Sequence, residues 1–125
     1  MENKLSSREL AVAIAKILDN SKAQEVKVLK VEDVTVLTDY FVIASGTSTT
    51  HAASLAGEVE FQLKKQYDLD PLSTEGYDTK NWVLLDFGSV IVHVFVPGTR
   101  DFYDLEHLWA DGEPVDLTDL ITGED

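Results

Sequence analysis

The sequence predicts a single α/β domain in which a mixed, mostly five-stranded sheet carries helices chiefly on one face. Three observations predict this class. Apolar residues recur at helical spacing in two segments, strand-like runs lie between and after them, and the second helical segment separates two groups of strands. A helix between two strands of one sheet is the usual connection for a parallel pair, whereas strands joined by a tight turn are antiparallel. The sheet should therefore contain both kinds of pair.

The N-terminal third predicts a helix followed by two neighbouring strands. Ser6-Ser7-Arg8-Glu9 offers a capping box, and apolar residues recur at helical spacing from about residue 7 to residue 22. Strand-like alternation follows over Glu25 to Glu32, and Asp39 to Ser45 is a short aromatic and β-branched run. Asp33 to Thr38 would connect these two strands.

The middle of the chain predicts a long helix and a third strand. The polar cluster Gly46 to Thr50 supplies candidate N-cap residues for the helix. Its apolar face consists of Ala52, Leu55, Ala56, Val59 and Leu63. Tyr67 to Pro71 should end this helix, and the third strand is expected around Leu72 to Gly76.

Two dense apolar runs that meet at residues 86–89 predict a β-hairpin. A two-residue turn at Phe87-Gly88 gives two cross-strand pairs on one face, namely Trp82 with His93 and Leu84 with Ile91. The opposite face would consist of Val83, Leu85, Val90 and Val92. Both faces are apolar, so one is expected to pack on helices and the other to be either core or an interface.

After Pro97-Gly98-Thr99 the chain is expected to enter a short helix that is rich in aromatic and acidic residues. Four apolar residues lie at helical spacing, and part of this set must be core: Phe102, Leu105, and Leu108 or Trp109. Tyr103, Glu106 and His107 would then point outward. Tyrosine and tryptophan beside charged groups are enriched at interface hot spots, so this helix favours an interface over plain core.

Composition limits the possible functions. A chain of 125 residues with 44% apolar residues is one globular domain. The absence of cysteine excludes disulfides, thiol nucleophiles and the common structural zinc sites. No apolar run approaches the ~18 residues of a transmembrane helix, and the start MENKLSSREL has neither signal-peptide nor transit-peptide character. A cytoplasmic location is therefore expected.

The charge distribution points to a basic protein as partner. The formal net charge is -13, and phosphate binding requires Lys and Arg, so direct binding of nucleic acid is not expected. From Asp101 onward there is no Lys or Arg. The sequence separates a domain of residues 1–110 from an acidic tail of residues 111–125. Apolar residues of the tail are spaced for one short amphipathic turn, which could dock on the domain or stay mobile: Val115, Leu117, Leu120 and Ile121.

The residues offer little catalytic chemistry. Asp68-Leu69-Asp70 is an Asp-x-Asp, but it falls in a proline-terminated helix exit, whereas carboxylates that hold two metal ions would lie within a strand. The histidines are widely spaced: His51 should help cap the second helix, His93 should face Trp82, and His107 should lie on an acidic helix surface. Neither a P-loop nor a G-x-S-x-G elbow occurs, so no metal site, cofactor or catalytic group is predicted.

Three segments resemble the ribosomal silencing factor family, also called Iojap-like. They are DYFVIASGTS (Asp39 to Ser48), WVLLDFGSVIVHVF (Trp82 to Phe95) and RDFYDLEHLW (Arg100 to Trp109). The resemblance extends over roughly residues 7 to 111 in one collinear block. The stretch after Trp109 is poorly covered, so the acidic tail is where this chain departs from the family pattern.

The resemblance implies a nucleotidyltransferase-like topology without the active site of that fold, and a regulator that is not an enzyme. It implies binding to the large ribosomal subunit at the protein called L-fourteen, which would block joining of the small subunit and lower translation when nutrients are scarce. Family members are also described as dimers, so a homodimer is a further expectation. Carried onto this sequence, the partner-binding residues are Trp82, Leu84, Asp86, Phe87, His93, Arg100, Asp101, Tyr103, Asp104, Glu106 and Trp109.

Two alternatives from other functional classes remain open at this point. A strand followed by Gly46 to Thr50 and a helix could cradle phosphates at the helix N-terminus, as in a nucleotidyltransferase-like enzyme or a nucleotide sensor. The other alternative is a dimeric adaptor without a ribosomal role.

Overall fold

Helices and strands follow one another largely as the sequence predicts, and the computed structural model describes residues 5–117. In chain order they are α1 (Ser7–Asn20), β1 (Gln24–Lys30), β2 (Tyr40–Ser45), α2 (Thr49–Tyr67), β3 (Ser73–Glu75), β4 (Trp82–Asp86), β5 (Val90–Phe95), α3 (Pro97–Tyr103), α4 (Leu105–Leu108) and β6 (Glu113–Pro114). None of the helices within residues 5–117 has the length and apolar character of a membrane-spanning segment.

The strands of the described chain form one mixed sheet of six strands in the order β3-β4-β5-β2-β1-β6. Strands β2 and β5 are parallel, and the other neighbouring pairs are antiparallel. The mixed sheet is thus confirmed, with one strand more than sequence analysis predicts. The additional strand, β6, has two residues and contains a proline, so it carries no alternation that a sequence pattern could reveal.

The two long helices pack on one face of the sheet, and the C-terminal segment covers part of the other. On the first face, α1 and α2 bury their apolar sides against strand residues such as Val42 and Val83. On the second face, a smaller cluster joins Leu105 of α4 to Phe41 and Phe95. Because both faces are covered at the centre, all six residues of β2 are buried.

Local capping fixes where the long helices begin. The Ser6 hydroxyl accepts a hydrogen bond from Glu9 N–H, and the Glu9 carboxylate accepts one from Ser6 N–H, so the predicted capping box is confirmed. At α2 the N-cap is Ser48, whose hydroxyl accepts from His51 N–H at 3.1 Å. The apolar face predicted for α2 is buried throughout: Ala52, Leu55, Ala56, Val59 and Leu63.

The predicted register of the β4–β5 hairpin is wrong by two residues. Trp82 pairs with Phe95 rather than with His93, and His93 pairs with Leu84. The turn lies one residue further along than predicted, because Phe87 N–H bonds the Val90 carbonyl at 2.9 Å and Gly88 has φ +87°. Glycine at the first central position favours such a turn. Moving a turn by one residue shifts partners by two, which leaves each side chain on its predicted face.

The C-terminal helical segment is two short helices and not one. Asp104 interrupts it in the left-handed conformation with φ 49°, between α3 and α4. Leu105 is buried and Trp109 packs against the same cluster, which confirms that part of the predicted set is core, whereas Phe102 and Leu108 are 79% and 70% exposed. The expected outward position of His107 is confirmed, since its ring is exposed beside the Asp104 carboxylate.

Part of the predicted acidic tail continues the sheet. Strand β6 pairs with β1, and Val115 N–H donates to the Val28 carbonyl at 2.9 Å. Val115 and Leu117 pack against the helix-side core. The other two apolar residues of the predicted amphipathic turn, Leu120 and Ile121, lie outside the described residues.

Candidate protein-binding surface

Trp82 is the centre of an aromatic cluster on the sheet face opposite the long helices. It begins β4, and its half-buried indole lies 4.6 Å from the Tyr103 ring and 4.9 Å from the Phe95 ring, centroid to centroid. The indole Nε1–H donates a hydrogen bond to His93 Nδ1 at 3.1 Å. Tyr103, at the end of α3, is 49% exposed. The cluster therefore connects the sheet core to a tyrosine at the surface.

His93 supports this cluster from beneath and is itself 5% exposed. Because Nδ1 accepts the indole hydrogen bond, the neutral ring carries its proton on Nε2. Nε2 is buried without a hydrogen-bond partner in the described structure. The His93 and Phe41 rings meet edge to face, with their centroids 5.1 Å apart. Burial lowers the pKa of His93 to about 4. The side chain is thus neutral near pH 7.

Arg100 fixes α3 and α4 to the end of the sheet. Its guanidinium is 4% exposed and donates from Nη1 to the Ser45 hydroxyl at 2.9 Å. It also donates from Nη2 and Nε to the two carboxylate oxygens of Glu106, at 2.7 and 3.4 Å. Burial alone would raise the pKa of Glu106, but the hydrogen bonds and charge of Arg100 lower it below its ordinary value. This fork geometry orients α4.

An open groove of about 600 Å³ lies beside the aromatic cluster. Its lining residues are Thr79, Asn81, Trp82, Val96, Gly98, Thr99, Phe102 and Tyr103. The Phe102 and Tyr103 rings meet edge to face at 5.0 Å, and Phe102 is 79% exposed. Two exposed aromatic rings beside a groove form a surface on which a partner side chain could be desolvated.

Of the predicted site residues, Trp82 and Tyr103 line this groove. Leu84 is half-buried on the same sheet face and pairs with His93. Trp109, the C-cap of α4, has its ring centroid 5.2 Å from that of Phe41. Asp101 and Asp104 are exposed on α3 and at its end. Arg100 and Glu106 bind each other, so their side chains serve the internal structure.

Two predicted site residues lie at the hairpin turn, at the other end of β4. Phe87 is 8% exposed and belongs to the helix-side core. The Asp86 carboxylate accepts a hydrogen bond from Gly88 N–H at 2.8 Å, which stabilises the turn. These two residues therefore do not join the groove.

Two features of the groove are not predicted by the sequence pattern, namely the exposure of Phe102 and the contribution of the segment before Trp82. The helical spacing that places Phe102 in a possible core set runs through Asp104, where the helix is interrupted. A left-handed aspartate is uncommon, so the break had no strong sequence signal. Thr79 and Asn81 line the groove because the loop after Gly76 returns the chain to β4. Gly76 is the sequence signal for this close approach, because a Cβ at position 76 would lie 1.9 Å from the carbonyl oxygen of Trp82.

The positions considered for metal or phosphate chemistry have internal roles. Asp68 is the left-handed C-cap of α2, and Lys64 lies 2.9 Å from the Asp68 carboxylate and 3.2 Å from that of Asp70, which confirms the helix exit. His51 Nδ1 accepts from Thr47 N–H at 2.9 Å, as the predicted capping role requires. Within residues 5–117, no group of three or more His, Cys, Asp or Glu side chains could hold a metal ion.

Comparisons with known proteins agree on one family. The chain matches the profile described as ribosomal silencing factor during starvation over residues 4–125. A relative named ribosomal silencing factor RsfS, from Halalkalibacterium halodurans, is 32% identical over 118 residues, covering 94% of this chain and 100% of the relative. A mouse protein named mitochondrial assembly of ribosomal large subunit protein 1 is 38% identical over 102 residues, covering 78% of this chain and 43% of that protein.

A solved structure whose sequence is 32% identical to this chain has the same fold. A crystal structure of a protein from Chromobacterium violaceum superposes with a TM-score of 0.81 at 32% identity. The alignment covers 85% of this chain and 88% of that chain. The α/β architecture with a mixed sheet is therefore shared with experimentally solved relatives.

Proposed function

Because this chain belongs to the ribosomal silencing factor family, we propose that it represses translation by binding the large ribosomal subunit through ribosomal protein L-fourteen. A protein bound there would occupy the face that meets the small subunit and would block subunit joining sterically. The repressor would act in the cytoplasm under nutrient limitation. The mouse relative, whose name also refers to the large subunit, supports this choice of partner.

The observation that carries this proposal is the exposed aromatic pair beside an acidic rim. The Tyr103 ring packs on Trp82, which donates a hydrogen bond to His93, and the Phe102 ring meets Tyr103 edge to face, so Tyr103 is positioned before binding. Asp101 and Asp104 flank these rings and are exposed. Rigid aromatic anchors with surrounding acidic groups suit a basic protein surface, because little side-chain entropy is lost on binding.

The enzyme alternative receives no support from the N-terminus of α2. Thr47 N–H donates to His51 Nδ1 and His51 N–H donates to Ser48 Oγ, so two backbone donors that would bind phosphate are already used. Close packing explains the glycine at position 46, because a Cβ there would lie 2.7 Å from Ala52 N. We therefore propose a regulatory, non-enzymatic role.

A co-sedimentation experiment tests the proposed function. The purified chain should co-sediment with isolated large subunits but not with small subunits, and it should slow subunit joining measured by light scattering. A large subunit that lacks L-fourteen should not bind. Binding to small subunits alone, or inhibition of translation with normal subunit joining, would contradict the steric mechanism.

The homodimer remains a proposal that the same experiments can address. A dimer formed through the groove would cover Tyr103 and Phe102 and would compete with the ribosome. In that case, sedimentation velocity should show that added large subunits convert dimers into ribosome-bound monomers.

A further inference from the structure

A second exposed apolar surface lies at the opposite end of the sheet from α3 and α4. The loop between β1 and β2 exposes Val34 to 40%, Val36 to 103% and Leu37 to 67%, and Leu72 before β3 is 76% exposed. We name these four residues the loop patch. The loop precedes β2, whereas α3 follows β5, and β2 and β5 are parallel. A six-residue strand separates the two surfaces by roughly 20 Å.

The loop patch is held in place by hydrogen bonds on both sides. Thr38 is 5% exposed, and its hydroxyl donates to the Gly88 carbonyl at 2.9 Å. Val31 N–H donates to the Asp39 carbonyl at 2.8 Å, which closes the base of the loop. Leu37 N–H donates to Thr35 Oγ1 at 3.1 Å. Val36 and Leu37 are therefore presented to solvent by an ordered turn.

Leu72 extends this patch across the hairpin turn. Its N–H donates to the Asp86 carbonyl at 2.7 Å, and its Cδ1 lies 3.4 Å from the position that a Cβ would take on Gly88. Thr38, which follows Leu37, binds the carbonyl of the same Gly88. Leu37 and Leu72 thus belong to segments that both contact the turn. Their exposed side chains are therefore part of one apolar surface and are not isolated.

The charges around the loop patch determine which partner it fits. There is no Lys or Arg from Val31 to Leu63, and the loop itself carries Glu32, Asp33 and Asp39. The basic residue that precedes the loop is Lys30, and its Nζ lies 3.7 Å from Oε2 of Glu32. A second copy of this chain would bring like charges together, and a nucleic-acid backbone would be repelled. A basic protein segment with aliphatic side chains complements both the charge and the apolar surface.

We propose that the loop patch is a second docking site, which binds a basic protein segment of the large ribosomal subunit. The groove that Trp82 and Tyr103 line would bind L-fourteen at the same time. This inference rests on the proposed function. The two sites together would give the complex a fixed orientation, because two contacts about 20 Å apart prevent rotation about either one.

A double substitution tests the loop patch. Val36→Ser with Leu37→Ser should weaken binding to isolated large subunits about tenfold or more, because both side chains lose a desolvated contact. The melting temperature should stay near that of the parent, since both side chains are exposed in the free protein. Phe61→Ser is the matched control, because Phe61 is 57% exposed on α2 and lies outside both surfaces; its affinity should stay within about twofold.

Site-specific cross-linking identifies what the patch touches. With p-benzoylphenylalanine in place of Val36, irradiation of the complex with large subunits should give an adduct to a basic ribosomal protein. Adducts to ribosomal RNA or to a second copy of the chain, or no adduct, would overturn the inference. If the parent chain binds large subunits and the double variant binds them equally tightly, the inference is also overturned. If the parent chain itself does not bind large subunits, the proposed function fails and this inference fails with it.

Discussion

At the scale of single residues, Arg100 illustrates a side chain that supports a binding surface from inside. Its guanidinium links Ser45 at the end of β2 to Glu106 in α4. A buried charge is costly unless it is paired, and removal of one partner leaves the others unsatisfied. The position of α4 should therefore depend on this residue.

Arg100→Ala should lower the free energy of unfolding by about 3 kcal/mol, because the Ser45 hydroxyl and the Glu106 carboxylate lose their donor. Urea denaturation measures this change. Arg8→Ala is the control, since Arg8 is exposed on α1 and its removal should change stability by less than about 0.5 kcal/mol. Full stability of the Arg100 variant with loss of ribosome binding would instead make Arg100 a direct contact.

His93 should make stability depend on pH. In the unfolded chain its pKa is near the ordinary 6.5, whereas burial lowers it to about 4 in the folded protein. Between these values the unfolded state binds more protons, so the contribution of His93 to stability falls as the pH drops from about 6.5 towards 4. The total loss should not exceed about 3 kcal/mol.

Urea denaturation at pH 7, 6 and 5 measures the slope, with His93→Gln as the comparison. Glutamine can still accept the indole hydrogen bond through its side-chain oxygen but does not titrate. The parent should lose more stability than the variant over this range. Equal slopes would show that His93 does not carry the dependence.

Tyr103→Ala should weaken large-subunit binding by roughly 2 kcal/mol or more, which is tens of times in affinity, because an anchor at the interface is removed. Its stability should change by less than about 1 kcal/mol, since the side chain is 49% exposed. Binding titrations and thermal melting of the same variant separate the two effects. Phe61→Ala is the aromatic control on α2.

Trp82→Ala should differ from Tyr103→Ala. Its indole packs on Phe95 and bonds His93, so truncation leaves a cavity that costs about 3 kcal/mol of stability in addition to affinity. Normal binding by the folded fraction of this variant would place Trp82 in the core alone.

At the scale of elements, the exit of α2 gives a test of the non-enzymatic role. Asp68→Asn with Asp70→Asn should leave both large-subunit binding and inhibition of subunit joining unchanged, because these carboxylates only pair with Lys64 at the surface. Exposed ion pairs such as these contribute little to stability, because water and salt screen them. Loss of inhibition by a folded double variant would revive a catalytic interpretation.

The elements also show what sequence can predict and where it fails. The capping box at Ser6 and the apolar stripe of α2 were predicted correctly, because each depends on residues within a few positions of one another. The face of the hairpin on which each side chain lies was predicted correctly although the strand register was wrong, because a shift of two residues preserves the alternation of side chains. The break at Asp104 and the strand β6 depend on tertiary contacts, so their local sequence carried little signal.

The candidate site was predictable to a similar extent. The family resemblance places Trp82 and Tyr103 in the site, and their rings are in contact in the structure. Their neighbour Phe102 was missed because its exposure depends on the left-handed residue two positions later. The family resemblance also placed Phe87 in the site, but its side chain belongs to the helix-side core.

At the scale of the whole molecule, the net charge of -13 should make binding depend on salt. The affinity for large subunits should fall steeply as ionic strength rises, because exposed charges are screened over about 8 Å at physiological salt. Titrations from low to high potassium chloride measure the slope. An affinity that does not change with salt would leave the apolar contacts as the sole basis of binding.

The parallel pair of β2 and β5 joins Tyr40 to Val90, which lie far apart along the chain. During synthesis β2 leaves the exit tunnel long before its partner, so its central place in the sheet must wait until β5 has emerged. The groove residues of α3 are made later still. A nascent chain should therefore acquire its groove only after α3 has left the exit tunnel, well after β2 has emerged.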